Sequence, residues 1–103
     1  ERGIRTFETS TRFSLDLSGA AALQNKTKLP LIIDPSHSIG MSYGVPKLAR
    51  AAAAFDSNGI IVEVHPNRKH ALCDKEQAMS HSEFELLYKQ IIKINSALGK
   101  KTI

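Results

Sequence analysis

Two short apolar runs stand out in the hydrophobic pattern of the chain, one within Leu29 to Asp34 and one within Gly59 to Val64. Consecutive apolar positions of this length are typical of parallel strands that are covered on both faces. Between them, segment 45–55 carries Pro46 and a series of alanines, which predicts a helix, since proline suits the first helical turn and alanine is the best helix former. The order strand, helix, strand predicts a βαβ unit with a right-handed crossover.

The C-terminal part of the chain has the three- and four-residue apolar spacing of an amphipathic helix. Ser82 is its predicted N-cap, and Gly99 is the predicted stop. The apolar positions on its buried face are Phe84, Leu87, Tyr88, Ile91, Ile94 and Leu98. A weaker helix is predicted over Leu15 to Gln24, and the opening segment ERGIRTFE is predicted to contain the end of another strand. These elements form a run of about three βα units, which is either an open sheet or one segment of a larger barrel.

The length of 103 residues allows one domain, so residues 1–103 are predicted to form a single α/β domain. A complete (β/α)₈ barrel needs about 250 residues, so this chain can hold only part of one. Its single cysteine, Cys73, excludes an internal disulfide and suits a reducing cytoplasm. No apolar run approaches the roughly 20 residues that cross a bilayer. We therefore expect a cytoplasmic protein without a membrane partner.

The net charge of +4 comes from basic residues that are scattered along the chain. No basic patch with interleaved aromatic residues is present, so we do not expect a nucleic-acid partner. Arg2 and Arg5 lie at the end of the first predicted strand, where they would bind a phosphate or carboxylate through the planar fork of the guanidinium.

Polar side chains follow the other predicted strands at their carboxyl ends. Asp34 and His37 follow the first apolar run, Glu63 ends the second, and Asp74 lies in the loop beyond it. Parallel strands bring these ends to one rim, which is where α/β proteins bind ligands. One imidazole and two carboxylates, from His37, Glu63 and Asp74, suit Mn, Fe, Co or Zn better than the all-oxygen shell that Mg or Ca prefers.

Each of these residues also has a purely structural interpretation. A histidine at a strand end, such as His37, is more often an ordinary turn residue, and Asp74 fits a turn or a cap equally well. Glu63 is harder to explain structurally, because a carboxylate within an apolar run should be paired or bound to a metal. His65 fits a hydrogen-bonded turn, with at most a supporting role, and Cys73 fits an inert small side chain.

Three segments together resemble a known enzyme family. ERGIRTFETSTRFSLDL, LPLIIDPSHS and GIIVEVHPNRKHALCDKEQ are similar to the C-terminal part of 3-deoxy-D-arabino-heptulosonate 7-phosphate (DAHP) synthase. The similarity is to the subgroup related to 3-deoxy-octulosonate 8-phosphate (KDO8P) synthase, and it covers essentially the whole chain in the family's order and spacing. GIRTFETSTR favours DAHP synthase over KDO8P synthase.

The resemblance implies a fold and a reaction. The fold would be the C-terminal portion, about the last three βα units, of a TIM (β/α)₈ barrel. The reaction would be the aldol-like condensation of phosphoenolpyruvate with erythrose 4-phosphate, the first step of the shikimate pathway. His37, Glu63 and Asp74 would be catalytic metal ligands, Arg2 would bind phosphoenolpyruvate, and a fourth ligand would be a cysteine earlier in the barrel. Cys73 is not that cysteine.

Further expectations follow from the same resemblance. The chain alone would be an inactive fragment, and the whole enzyme would be a homo-oligomer, as relatives are often tetramers. After DPSHS this chain has IGMSYGVP where relatives commonly carry two basic residues, which affects the contacts to the aldehyde substrate. The alternatives are KDO8P synthase, acting on arabinose 5-phosphate, and a non-catalytic α/β module that self-assembles through exposed sheet edges.

Overall fold

The computed structural model describes residues 1–103 and contains four α-helices and two short strands. In chain order they are α1 (Leu17–Lys26), β1 (Ile32–Ile33), α2 (Pro35–Ile39), α3 (Val45–Ala54), β2 (Gly59–Ile60) and α4 (His81–Ala97), with a single 3₁₀ turn at Arg68–His70. β1 and β2 are parallel, with Ile32 opposite Gly59 and Ile33 opposite Ile60. The predicted βαβ unit is therefore confirmed, although both strands are shorter than predicted. No helix has the length and apolar character needed to cross a membrane.

Two further segments extend this parallel pair on both sides. The amino group of Glu1 donates to the Ile32 carbonyl at 2.8 Å, and the Asp34 amide donates to the Glu1 carbonyl at 2.8 Å, which is the pattern of parallel strands. On the other side Val64 forms a parallel bridge with Met79. Four segments thus run side by side. In the opening segment, where a strand end is predicted, only Glu1 pairs with β1. From Ile4 the chain pairs instead with Ser14, in the antiparallel sense.

One face of this small sheet is covered by α3. Ala49, Ala52 and Ala53 are buried there, and Ile33 is fully buried beneath the helix layer. Because alanine side chains are small, α3 can lie close to the strands, as its composition predicts. The opposite face is open, since Ile32 is 44% exposed and Ile61 is 57% exposed. The prediction that these strands are covered on both faces is therefore wrong for the described residues.

Helix α4 packs on α3 through Leu87, which is buried with Val45, Ala49 and Met79. Its N-cap is Ser80 rather than the predicted Ser82, because the Ser80 hydroxyl accepts from the Glu83 amide and the Glu83 carboxylate accepts from the Ser80 amide. This reciprocal pair is a capping box.

The other predicted helix signals have mixed outcomes. Gly99 follows the end of α4 with a φ of +71°, which confirms the predicted stop. The weaker helix predicted from Leu15 is α1, which begins two residues later, at Leu17, after the cap residue Asp16.

Polar contacts hold together the amino ends of β1 and β2. The Leu31 amide donates to the Asn58 side chain at 2.7 Å, and the Ser57 hydroxyl donates to the Ala52 carbonyl at 2.9 Å. Lys100, from the tail after α4, donates to the Ser57 carbonyl at 2.9 Å. These contacts close the rim that lies opposite the predicted site.

Candidate metal centre

His37 lies in α2, a helix of one turn that begins directly after β1. Asp34 is its N-cap, and Oδ1 of Asp34 accepts from the His37 amide at 3.0 Å. Pro35 occupies the first turn, where its missing amide hydrogen costs nothing. Gly40 ends the helix with a φ of +72°, a conformation that glycine adopts readily. The sequence DPSHSIG therefore forms a capped turn that fixes the position of His37 at the carboxyl end of β1.

Glu63 is held by its backbone on two sides. Its amide donates to the hydroxyl of Ser36 at 3.0 Å, and its carbonyl accepts from the Met79 amide at 2.9 Å. Ser36 is fully buried within α2. The end of the β2 segment is thereby joined to the turn that carries His37, and the Glu63 side chain is left free to reach the rim.

Asp74 lies in a turn and has a left-handed backbone, with a φ of +54°. Aspartate is among the few residues besides glycine that adopt this conformation readily. Its carbonyl accepts from the amides of Gln77 and Ala78, at 3.2 and 3.0 Å. This turn, which precedes Met79, directs the loop after β2 back to the rim.

The structure brings His37, Glu63 and Asp74 together. Nε2 of His37 is 3.8 Å from Oε1 of Glu63 and 3.6 Å from Oδ2 of Asp74. One ligand atom from each of the three residues lies within 4.8 Å of the others. The side chains are partly buried, with exposures of 18%, 41% and 30% in that order.

The charge balance of this group fits a bound cation. Neither the Glu63 nor the Asp74 carboxylate has a lysine or arginine partner, and His37 is the only basic group within salt-bridge distance of either. Two carboxylates that converge without a lysine or arginine beside them favour a divalent cation at their centre. The mixed nitrogen and oxygen donors are those preferred by Mn, Fe, Co or Zn.

Neither of the two predicted anion-binding arginines forms an ion pair with the carboxylates of this group. The Arg2 side chain is exposed and forms no hydrogen bond or ion pair with the protein. The Arg5 guanidinium lies over the ring of Phe13, 5.2 Å from its centroid, and Arg12 lies at the same distance from that ring.

A groove of about 470 Å³ adjoins Asp74. The guanidinium of Arg12 donates to Oε1 of Gln77 at 3.4 Å, while the buried Nε2 of Gln77 has no partner. Gly40, Met41 and Tyr43, from the segment IGMSYGVP, line the same groove. This segment therefore lies next to the candidate metal centre.

Two other residues singled out in the sequence lie outside the metal-ligating group. Nδ1 of His65 accepts from the Asn67 amide at 3.0 Å, as expected for a turn, and His65 is not part of the metal-ligating group. Cys73 is exposed and is also outside this group.

Sequence reasoning missed the contact between Asp34 and His37. Oδ2 of Asp34 is 2.7 Å from Nδ1 of His37, on the side of the ring opposite Nε2. The available signal was an aspartate before proline, three residues ahead of the histidine, which is a helix-start pattern.

The sequence profile of the DAHP synthetase I family matches residues 1–100. The chain belongs to this family. A curated relative from Thermotoga maritima, a phospho-2-dehydro-3-deoxyheptonate aldolase, is 46% identical over 101 residues, which cover 98% of this chain and 30% of that protein. A 2-dehydro-3-deoxyphosphooctonate aldolase from Rhodopseudomonas palustris strain TIE-1 is 36% identical and covers 98% of this chain and 38% of that protein.

Solved structures of family members have the same fold over these residues. The crystal structure of the Thermotoga maritima DAHP synthase superposes with a TM-score of 0.95 at 46% identity, covering 98% of this chain and 30% of that one. A truncated form of 3-deoxy-D-arabino-heptulosonate 7-phosphate synthase from the same organism gives 0.93 at 44% identity, covering 96% and 38%. The DAHP synthetase I chain described here thus spans about a third of the length of the relatives it matches.

Proposed function

We propose that this chain is the C-terminal part of a metal-dependent DAHP synthase. The observation that carries the proposal is the convergence of His37, Glu63 and Asp74, with ligand atoms within 4.8 Å of one another. Membership of the DAHP synthetase I family supports it independently of this geometry.

The fold of the whole enzyme is proposed to be a TIM barrel, to which residues 1–103 contribute about the last three βα units. Two features support this assignment. The segments at Glu1, β1, β2 and Met79 are parallel neighbours, and the open face that exposes Ile32 and Ile61 is what the interior of an incomplete barrel would present.

The proposed reaction joins phosphoenolpyruvate to erythrose 4-phosphate. Carbon 3 of phosphoenolpyruvate bonds to the aldehyde carbon, water adds at carbon 2, and phosphate leaves. His37, Glu63 and Asp74 would hold a Mn, Fe, Co or Zn ion, which would supply Lewis-acid polarisation of the aldehyde oxygen. The resemblance implies a fourth, cysteine ligand from outside this chain.

Arg2 is the proposed contact for phosphoenolpyruvate. Its side chain is exposed and makes no hydrogen bond or ion pair within the chain, so its guanidinium donors are available for a phosphate. The groove beside Asp74 is the proposed location of part of the aldehyde substrate, because it opens directly next to a metal ligand. The enzyme is proposed to act as a homo-oligomer, on the basis of the resemblance alone.

Activity of the intact enzyme tests this proposal. With Mn²⁺, phosphoenolpyruvate and erythrose 4-phosphate, we expect release of inorganic phosphate, and we expect His37→Ala to reduce it to background. His70→Ala is the matched control, because His70 is exposed on the 3₁₀ turn and outside the metal-ligating group. The absence of phosphate release from the wild type would contradict the proposal. Faster release with arabinose 5-phosphate would instead favour KDO8P synthase.

A further inference from the structure

We propose that Asp34 is a positioning residue for the metal centre and that its carboxylate fixes both the orientation and the tautomer of His37. The inference rests on the metal-binding role proposed above for His37. It assigns to Asp34 a task beyond starting α2.

The two oxygens of Asp34 have different partners. Oδ1 accepts from the His37 backbone amide at 3.0 Å, and Oδ2 is 2.7 Å from Nδ1 of the His37 ring. The backbone and the ring of His37 are therefore both held by one carboxylate. The side chains of Asp34 and His37 are only 15% and 18% exposed, so water competes weakly for this contact.

The contact also determines which ring nitrogen carries the proton. An ionised carboxylate only accepts hydrogen bonds, so in the neutral imidazole Nδ1 must be the donor and Nε2 must carry the lone pair. Nε2 is the atom that lies 3.8 Å from Glu63 and 3.6 Å from Asp74. The tautomer set by Asp34 thus presents a metal-ligating nitrogen to the other two ligands.

A second cap in the same chain shows that capping alone does not require this contact. Asp16 begins α1 through one oxygen, which accepts from the Gly19 amide at 2.7 Å. Asp34 makes the equivalent cap bond and has an additional bond to the ring. A carboxylate hydrogen-bonded to the far nitrogen of a ligating histidine orients the ring and increases its basicity toward the metal.

The substitution Asp34→Asn separates capping from positioning. Asparagine is as good an N-cap as aspartate, and its oxygen can keep the bond to the His37 amide. The amide NH₂ then faces Nδ1 of the ring as a donor, so the ring proton moves to Nε2 and the lone pair leaves the metal site. We expect the affinity of the intact protein for Mn²⁺, measured by titration calorimetry, to fall about 10- to 100-fold.

Asp34→Ser removes the contact to the His37 ring but places no donor against Nδ1. A serine hydroxyl can still cap α2, but it is too short to reach both the His37 amide and the ring. We expect this variant to lose less affinity than Asp34→Asn. The matched control is Asp16→Asn, which makes the same change at a cap without a ring partner, and we expect it to leave Mn²⁺ affinity unchanged.

Nitrogen NMR of the metal-free protein provides a readout that a purely structural role would not change. We expect the His37 ring to carry its proton on Nδ1 in the wild type and on Nε2 in Asp34→Asn. If Asp34→Asn keeps the wild-type tautomer and binds Mn²⁺ as tightly as the wild type, the positioning role is overturned. If instead the wild type binds no Mn²⁺, the metal centre itself fails, while the tautomer measurement still decides the role of Asp34.

Discussion

Ser36 is the residue that joins two strand ends at the candidate centre. It is fully buried, and its hydroxyl accepts from the Glu63 amide at 3.0 Å across 27 positions of the chain. Loss of this acceptor leaves a partly buried amide without a partner, which costs free energy because that amide gave up its contact with water on folding.

We therefore expect Ser36→Ala to lower the free energy of unfolding by about 1–3 kcal/mol and to weaken Mn²⁺ binding, because Glu63 is no longer held to the turn that carries His37. Denaturant unfolding and calorimetry would measure the two effects. Ser38→Ala is the control, since Ser38 is equally buried but its hydroxyl donates only to the nearby Pro35 carbonyl. Equal losses of metal affinity in the two variants would contradict the proposed link.

The sequence predicts the candidate ligands of the site, but it does not predict the residues whose hydrogen bonds position them. Glu63 stands out in the sequence because it interrupts an apolar run, and His37 because it follows a strand end. The contacts of Asp34 and Ser36 depend on α2, which spans only five residues and is too short to give a periodic pattern. The gathering of three residues from separate segments of the chain required only that the strands be parallel.

Helix α4 illustrates how local capping chemistry decides an element boundary. The sequence pattern predicted Ser82 as its N-cap. The structure selects Ser80, because only from that position do the serine and Glu83 exchange two hydrogen bonds. The Ser82 hydroxyl is hydrogen-bonded to that of Ser80 at 3.1 Å and accepts from no backbone amide of the helix.

The two serines can be compared directly by mutation. We expect Ser80→Ala to lower the free energy of unfolding by about 1 kcal/mol. Ser82→Ala should change it by less than about 0.5 kcal/mol, as is usual for an exposed surface position. Urea denaturation of both variants measures the difference, and a larger effect at Ser82 would show that α4 begins later in solution.

The capping box also makes stability depend on pH. The hydrogen bond from the Ser80 backbone amide lowers the pKa of Glu83 from its ordinary value of 4.5, and nearby Arg68 lowers it further. A lowered pKa in the folded state means that the stabilisation is present above 4.5 and is lost as the pH falls through the folded value. Glu83→Gln keeps the cap geometry but does not titrate, so its stability deficit relative to wild type should shrink below pH 4.5. Urea unfolding above and below pH 4.5 measures this deficit. A deficit that is the same on both sides of pH 4.5 would contradict the proposed role of Glu83.

Helices and strands were predicted correctly where residues close in sequence specify them. Helix α3 is found at Val45–Ala54, within one residue of its predicted bounds, because Pro46 and the alanines specify it locally. The strands are shorter than predicted, because strand length depends on partners across the sheet. Beyond Ile60 the β2 segment pairs only at separate points, such as the Ile61 amide with the Ile33 carbonyl.

The molecule as a whole leaves one side of its sheet uncovered. Ile32 and Ile61 are exposed together on the face opposite α3, and the outer segments have unpaired edges that invite pairing with other chains. The exposure of this face is not predictable from the two apolar runs. They suggest that both faces of the strands are buried, but they do not indicate which residues would cover each face.

We expect residues 1–103 alone to self-associate through this face, because exposed apolar surface and open edges both favour it. Ile32→Lys should reduce the association measured by size-exclusion chromatography while the helical circular dichroism is retained. Leu72→Lys is the control, since Leu72 is fully exposed and is not a member of either paired strand. A compact, stable monomer of the isolated segment would argue instead for an autonomous module.

The separation of the two strand rims has a consequence for how such a chain can evolve. One rim of the sheet is held by the contacts of Asn58, Ser57 and Lys100. The other rim carries the candidate metal ligands His37, Glu63 and Asp74. Substitutions at the first rim would change the free energy of unfolding, whereas substitutions at the second would change the candidate metal centre. Variants collected from libraries screened for thermal tolerance should therefore accumulate at the first rim and leave His37, Glu63 and Asp74 unchanged.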